Sequence, residues 1–151
     1  MGNCISEKEL EKCTYESCEK YFPDLEIDKC KVVRYCDGDT CHIAWKSKSG
    51  TYVRQPARLH GINCPELKSQ NEDEAKEALV SLSALKKATE GKLLKCKVHN
   101  TLKPDPYGRL LVTLFDEEKN INEWMVTEKY ASLYDGKRKA RYIPNYYQNR
   151  I

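Results

Sequence analysis

The feature that most constrains this fold is a series of short β-forming segments that one amphipathic helix interrupts. Three segments rich in β-branched and aromatic residues come first, and two more follow the helix. These five segments cover residues 31–36, 40–45, 51–59, 93–98 and 110–115. Turn-forming residues separate them, among them Asp37, Gly38 and Asp39 after the first segment. A second helical segment ends the pattern, which therefore predicts a mixed α+β domain.

Both helices carry recognisable start or stop signals. Asn71, with Glu74 three residues later, predicts the start of the first helix, and Gly91 is a natural stop. The second helix is predicted over 121–130, with Asn120 as its cap. Five apolar residues of the first helix recur at steps of three and four and are expected on one buried face: Ala75, Ala78, Leu79, Leu82 and Leu85.

Five short strands with an interposed helix follow the plan of the oligonucleotide-binding Greek-key barrel, the OB-fold. We therefore predict a five-stranded OB-fold β-barrel with two or three helices. The domain is predicted at 29–136, after an N-terminal extension at 1–28 and before a basic, aromatic tail at 137–151. Because this barrel serves many activities, function must be inferred from particular side chains.

Composition and charge indicate where the chain is expected to act and how it could bind nucleic acid. The net charge is only +3 and charges of both signs are mixed along the chain, so nucleic-acid affinity would require a local basic patch. Eight cysteines without the apolar core of a signal peptide predict reduced thiols inside the cell. No apolar run approaches the ~20 residues that span a bilayer.

Candidate catalytic residues are concentrated in three islands, 37–40, 58–66 and 105–109, each of which pairs a tight turn with charged side chains. Phosphodiester hydrolysis needs an activated nucleophile, neutralisation of charge on the phosphate oxygens and a stabilised leaving oxygen. A carboxylate near a hard cation, together with two guanidinium groups, meets these needs. Calcium prefers oxygen ligands such as carboxylate, amide and backbone carbonyl groups, and the planar fork of arginine matches phosphate oxygens.

The three islands, in this order, resemble the signature segments of the staphylococcal nuclease (thermonuclease) family. The resemblance covers about 31–136, and Asn122-Glu123 at the start of the second helix is also similar. It implies that calcium is held by side-chain oxygens of Asp39 and Asn63 and by the backbone carbonyl of Cys64.

The resemblance also implies roles for the remaining site residues. Glu66 would act as general base or orient the attacking water, and Arg58 and Arg109 would clamp the phosphate and stabilise the transition state. Tyr107 would lie near the bound nucleotide. The implied enzyme is a calcium-dependent nuclease that cleaves single-stranded DNA and RNA and leaves 3′-phosphate ends. We expect the chain to be a monomer.

The chain departs from the family pattern at Asn63, at Cys64 and in the C-terminal helix. Asn63 stands where the family usually has a second calcium-binding aspartate, so calcium affinity should fall with the lost charge. Cys64 replaces a threonine whose role is a backbone carbonyl, and the long C-terminal helix of the family is missing or replaced by the tail. An alternative function is therefore a catalytically weakened module that binds nucleic acid or protein without cleavage.

The histidines and the N-terminus lead to separate predictions. His42, His60 and His99 are expected on strands as packing or surface groups, and the cysteines lack the paired spacing of a zinc site. Gly2, followed by Ser at the sixth position, fits N-myristoylation, and Cys4 is placed for palmitoylation. Plant members of the family are similar in bearing acylated ends. Because one acyl chain binds only marginally, the two together predict attachment to the cytosolic face of a membrane.

Overall fold

The computed structural model describes residues 11–12, 14–17, 27–100 and 105–135. Within 27–100 and 105–135 the chain forms eight strands and two helices. The strands are β1 (Ile27–Asp37), β2 (Thr40–Lys46), β3 (Tyr52–Leu59), β4 (Ile62–Asn63), β5 (Leu94–Val98), β6 (Leu110–Asp116), β7 (Lys119–Asn120) and β8 (Ser132–Leu133). The helices are α1 (Glu72–Thr89) and α2 (Ile121–Thr127).

Five of these strands close into a barrel. They are hydrogen-bonded in the order β3-β2-β1-β5-β6, and a parallel pairing of β3 with β6 joins the two ends. All other neighbours in the barrel are antiparallel. The predicted α+β fold, a five-stranded OB-like barrel with helices, is confirmed. The short strands β4 and β8 pair outside the barrel and were not predicted.

The core fills the barrel with the inward side chains of alternate strand positions. Its largest fully buried side chains include Ile43, Leu59, Leu94 and Leu114 from the strands and Leu85 from α1. Burying one such side chain contributes roughly 1.5–3 kcal/mol. The alternation therefore leaves the intervening strand positions on the outer face of the barrel.

Helix α1 begins where the sequence predicts, because the Asn71 side chain accepts the N–H groups of Asp73 and Glu74 at 3.0 and 3.2 Å. The predicted buried face is partly wrong, since Leu79 is 57% exposed. The face towards the barrel consists mainly of small residues: Ala78, Ser81, Ala84, Leu85, Ala88 and Thr89. These small side chains allow the helix to lie close to the sheet. The larger Leu79 side chain points away from the sheet.

Helix α2 is shorter than predicted, because it ends at Thr127 rather than at Tyr130. Lys129 adopts a positive φ of 64°, which ends the helical turn. The N–H groups of Tyr130 and Ala131 then both donate to the Met125 carbonyl, at 2.8 and 3.0 Å. This turn directs the chain into β8, beside the loop that carries part of the candidate site.

Several predictions concern residues outside the described ranges. Gly2, Cys4 and the 137–151 tail lie there, so acylation and the role of the tail stay predictions. The domain boundaries and the monomeric state also stay predictions. Among the helices that the structure describes, none combines the length and apolar character needed to cross a membrane.

Candidate functional site

The Asp37-Gly38-Asp39 turn is packed tightly between α1 and the segment after β4. A Cβ on Gly38 would lie 2.8 Å from Ser81 Cβ and 3.0 Å from Cys64 Sγ. Real Cβ atoms essentially never approach another atom to 2.8 Å, so only glycine fits here. The tripeptide resembles an ordinary hairpin turn in the sequence, but in the fold it fixes the backbone of Asp39 against two other elements.

The Asp39 carboxylate is buried and receives hydrogen bonds from both sides. Its Oδ2 accepts the Cys64 N–H at 2.8 Å, and its Oδ1 accepts the Thr40 hydroxyl at 3.0 Å. Arg58 Nη2 lies 3.8 Å from Oδ2. Asp39 is only 7% exposed, and burying a carboxylate is costly without such partners. The contact with Cys64 joins the first island to the second.

Arg58 lies on β3 opposite Thr40, and backbone oxygens hold its guanidinium group. Its Nη1 donates to the carbonyls of Leu59 and Ile62, each at 3.0 Å. Its Nη2 donates to Asn63 Oδ1 at 3.3 Å, and the Tyr134 ring lies 4.9 Å from Cζ. The side chain is 13% exposed, so the fold itself orients this arginine.

Asn122 anchors the start of the second island to the barrel. Its Nδ2 donates to the carbonyls of His60 and Val112, both at 2.9 Å, and its Oδ1 accepts the Leu114 N–H at 3.2 Å. The residue is 4% exposed. The sequence pointed to Asn122 only as a point of family likeness, and this anchoring role was not predicted.

Glu66 lies at the end of the same island, where its side chain is exposed. Its N–H donates to Glu74 Oε1 at 3.1 Å, and its carbonyl accepts the Ser69 N–H at 3.2 Å. The Ser69 hydroxyl also donates to Glu74, at 2.6 Å. The first turn of α1 therefore holds the backbone of Glu66 and leaves its carboxylate at the surface.

Arg109 is held by its own turn. Its Nε donates to Asp105 Oδ2 at 3.0 Å, and the same oxygen accepts the Tyr107 N–H at 3.0 Å. Gly108 allows the turn through a positive φ of 74°. Burial raises the pKa of the Asp105 carboxyl, but hydrogen bonds from Arg109 and Tyr107 lower it more, so the net pKa is below its usual value. The Tyr107 ring is 82% exposed and lies 5.2 Å from Arg109 Cζ.

The third island lies beside the first two along the junction of β3 and β6. Gln55 Nε2 donates to the Gly108 carbonyl at 2.8 Å, and Arg58 pairs in register with Leu111. Neighbouring strands are about 4.8 Å apart and each residue advances about 3.3 Å, so the backbones of Arg58 and Arg109 lie about 8 Å apart.

Four of the predicted residues thus form one contact cluster, and Arg109 and Glu66 lie beside it. Asp39 contacts Arg58 and Cys64, and Arg58 also contacts Asn63. Arg109, with Tyr107, adjoins this cluster across the strand junction, whereas Glu66 lies on the α1 side. Asp39 is joined to the cluster by a hydrogen bond from the Cys64 N–H and by an ion pair with Arg58.

The cluster offers oxygen donors of the kind that calcium prefers. A carboxylate has about four lone-pair positions, and two described hydrogen bonds use part of this capacity on Asp39. The Asn63 amide oxygen adds a neutral donor. In the described part of the chain, no three His, Cys, Asp or Glu side chains are grouped as metal ligands. The donor chemistry fits a calcium ion, with a single carboxylate from Asp39.

The structure brings together two histidines that are far apart in the sequence. The rings of His60 and His99 stack with centroids 4.1 Å apart and planes 17° apart, and His99 Nε2 lies 2.7 Å from Thr113 Oγ1. Both residues were predicted to lie on strands, but in the structure each follows the end of a strand. Burial lowers the pKa of His99, and His60 and Lys97 lower it further. No local signal in the sequence predicted this pair.

Comparisons with known proteins identify the family of this chain. A sequence model described as staphylococcal nuclease homologue matches residues 56–150, which is more than half of the chain. An uncharacterized protein of Bacillus anthracis is 31% identical over 116 residues, or 77% of this chain. The chain spans about half the length of that relative, since the match covers 52% of it. With its closed five-stranded barrel and two helices, the chain belongs to the staphylococcal nuclease homologue family.

Proposed function

We propose that this chain is a calcium-dependent, sugar-nonspecific nuclease that hydrolyses single-stranded DNA and RNA to products with 3′-phosphate ends. The observation that carries the proposal is the contact of Asp39, Arg58 and Asn63, with Arg109 in the turn that leads into the neighbouring strand β6. Membership of the family supports a nuclease-type fold. Cleavage, calcium dependence and substrate range are the proposed steps beyond it.

The two arginines supply permanent positive charge from opposite sides of the β3–β6 junction. A guanidinium group binds two phosphate oxygens at once, and the side chains of Arg58 and Arg109 are long enough to converge on one phosphate. The charge that develops on that phosphate during attack is then stabilised by groups already in position. Removing one such group from other enzymes typically lowers the rate by about 10²–10³-fold.

The remaining residues bind, orient and transfer protons. Asp39 and Asn63, with the Cys64 carbonyl, would hold calcium, which supplies further charge neutralisation at the phosphate when bound. Glu66 accepts a proton from, or orients, the attacking water. The new bond joins the water oxygen to phosphorus, and the bond to the 5′-oxygen breaks. That oxygen takes up a proton from solvent and leaves as a 5′-hydroxyl, so the phosphate stays on the 3′ side. The exposed Tyr107 ring can stack on a base without regard to its identity.

The direct test is cleavage of a fluorescent single strand with calcium and then with chelator. We expect cleavage only with calcium, and phosphatase treatment should be needed before the 3′ ends can be extended. Glu66→Gln should lower the rate by roughly 10²–10⁴-fold. Glu72→Gln removes an exposed carboxylate from the first turn of α1 and is the matched control. Intact substrate under both conditions would overturn the proposal.

The second candidate is a module of this family that binds nucleic acid or protein without cleaving. Asn63 favours it, because an amide replaces a charged ligand and its oxygen already accepts a hydrogen bond from Arg58. Calorimetric titration of calcium into Asn63→Asp should show affinity that is roughly tenfold tighter if the site binds calcium. If neither protein binds calcium while the wild type still binds single strands, the second candidate is correct.

Membrane attachment is a separate proposal that rests on Gly2 and Cys4 alone. Labelling of the expressed chain with a myristate analogue should depend on Gly2, and labelling with a palmitate analogue should depend on Cys4. Equal labelling of Gly2→Ala and the wild type would contradict it.

A further inference from the structure

The outer face of β1, β2 and β3 can be assigned residue by residue from the strand register. Cys41 and Ile43 on β2 and Ala57 and Leu59 on β3 are fully buried, so they point into the barrel. The alternate positions point outward and pair across the two strands. These outward pairs are Thr40 with Arg58, His42 with Pro56, Ala44 with Arg54, and Lys46 with Tyr52.

Strand β1 adds two basic side chains to this outer face. Lys31 pairs with Ala44, and Arg34 pairs with His42. Lys31, Arg34, Lys46 and Arg54 are all exposed. We call these four residues the outer basic face.

The segment that contains β1, β2 and β3 carries more net positive charge than the rest of the chain. Between residues 29 and 65 there are seven Lys or Arg residues, and the only acidic residues are Asp37 and Asp39 in the site turn. This excess of five positive charges is larger than the net +3 of the whole chain, so the remainder is net negative. A concentrated patch of one sign attracts a polyanion even when the overall charge is small.

The outer basic face is continuous with the candidate site. Arg58 lies on the same face of β3 as Arg54, four residues away, which corresponds to about 13 Å along the strand. Tyr52 lies two residues beyond Arg54 and is 78% exposed, with Lys46 Nζ 6.0 Å from its ring centre. A row of positive charge thus runs from the site to an accessible aromatic ring.

We propose that the outer basic face binds the backbone of single-stranded nucleic acid, so that nucleotides beyond the scissile bond run along β3 from Arg58 towards Tyr52. This inference rests on the proposed function. It extends the contact by several nucleotides past the cleaved phosphate. The exposed ring of Tyr52 favours a single strand over a duplex, because unpaired bases present their faces for stacking.

The test is binding of a fluorescent single strand of about 16 nucleotides, the upper end of the site size of one such barrel, in the presence of chelator. Arg34→Gln combined with Arg54→Gln should weaken binding by roughly tenfold at low salt. The slope of log affinity against log salt should become shallower by about 1.4, since each lost phosphate contact contributes about 0.7. The control is Lys76→Gln with Lys87→Gln, which removes two exposed charges from α1 and should behave as wild type.

Three results would overturn the inference. The two double variants could both bind as wild type, or both could weaken equally, which would indicate a general charge effect. Alternatively, Arg34→Gln with Arg54→Gln could keep its affinity for the oligonucleotide and lose binding to phosphatidylserine vesicles, which would assign the face to a membrane. Thermal melting of each variant shows whether it remains folded.

The outcomes also separate this inference from the proposed function. If the wild type cleaves with calcium but both double variants bind the oligonucleotide as tightly as the wild type, the role proposed for the outer basic face is wrong and the proposed function stands. If the wild type does not cleave while Arg34→Gln with Arg54→Gln weakens binding selectively, the face binds single strands and the nuclease proposal fails.

Discussion

Arg58 and Arg109 carry identical side chains to the same candidate phosphate, but the protein holds them in different ways. Arg58 is held by the backbone carbonyls of Leu59 and Ile62 and is 13% exposed. Arg109 is held by Asp105, four residues before it in the same turn, and is 25% exposed. The hydrogen bonds of Arg58 are also local, but its ion pair with Asp39 and its contact with the Tyr134 ring require the assembled barrel. The described side-chain contacts of Arg109 are complete within five residues.

This difference separates stability from function at the two halves of the site. Contacts around Arg58 join the turn between β1 and β2, strands β3 and β4, and the segment after β8, so changes there should affect both folding and binding. The described side-chain contacts of Arg109 are local to the turn, and Gln55 and Asn100 bond only to backbone carbonyls there, so changes of the side chain should affect binding with little cost to folding. The following predictions test this contrast, from the largest expected effect to the smallest.

The largest contrast is expected from the acid that faces each arginine. Asp39→Asn should lower the free energy of unfolding by about 2–3 kcal/mol, because Arg58 and the Cys64 N–H lose a buried charged acceptor. Asp105→Asn should cost about 1 kcal/mol or less, since its partner Arg109 is 25% exposed against 13% for Arg58 and its hydrogen bonds lie within one turn. Urea denaturation of both variants measures the difference. Equal losses would contradict the contrast.

A smaller contrast is expected from the aromatic ring beside each arginine. Tyr134→Leu should lower the free energy of unfolding by about 0.5–1 kcal/mol, because it removes a ring 4.9 Å from the partly buried Arg58. Tyr107→Leu should leave the unfolding midpoint unchanged, since that ring is 82% exposed. The order should reverse in oligonucleotide affinity, because Tyr107→Leu should weaken binding more than Tyr134→Leu. A larger stability loss in Tyr107→Leu would refute this assignment.

The smallest contrast is in pH dependence. The pKa of His99 is lowered by burial and by its neighbours, so the unfolded chain takes up the proton first as the pH falls. Its contribution to stability is present above the unfolded value of about 6.5 and is lost below it. The pKa of Asp105 is also lowered, so its contribution persists until the pH falls below about 3.9.

Between about pH 7.5 and about pH 5.5, therefore, the His99 contribution should change and the Asp105 contribution should not. We expect a decrease of less than about 1 kcal/mol, because the residue is exposed and solvent screens its charge. His60→Gln should reduce this decrease without abolishing it, since burial is the larger cause. Urea midpoints at the two pH values provide the measurement. A pH response that His60→Gln enlarges would show that the stacked pair is assigned incorrectly.

Local features of the fold were predictable from the sequence because their causes are local. Asn71 and Asn120 each cap a helix through contacts within three residues, and both were predicted. The five barrel strands follow from alternating β-forming segments. The exposure of Leu79 was not predictable, because it depends on how closely α1 approaches the Gly38 turn.

The candidate site shows the same division. The three islands identified Arg58, Glu66 and Arg109 through turn and charge patterns and a family likeness. The Asn122 hydrogen bonds to His60 and the Tyr134 ring beside Arg58 join residues more than sixty positions apart. Such contacts arise from the topology of the folded chain, so no local pattern indicates them.

The central claim is that Arg58 and Arg109 act on one phosphate, and a double-mutant cycle in single-turnover cleavage tests it most directly. Arg58→Lys and Arg109→Lys keep the charge and remove the planar fork, so each should lower the rate by roughly 100-fold. If both arginines bind the same phosphate, the double variant should lose clearly less than the product of the two losses. Losses that multiply fully, or a wild type that does not cleave, would contradict the account.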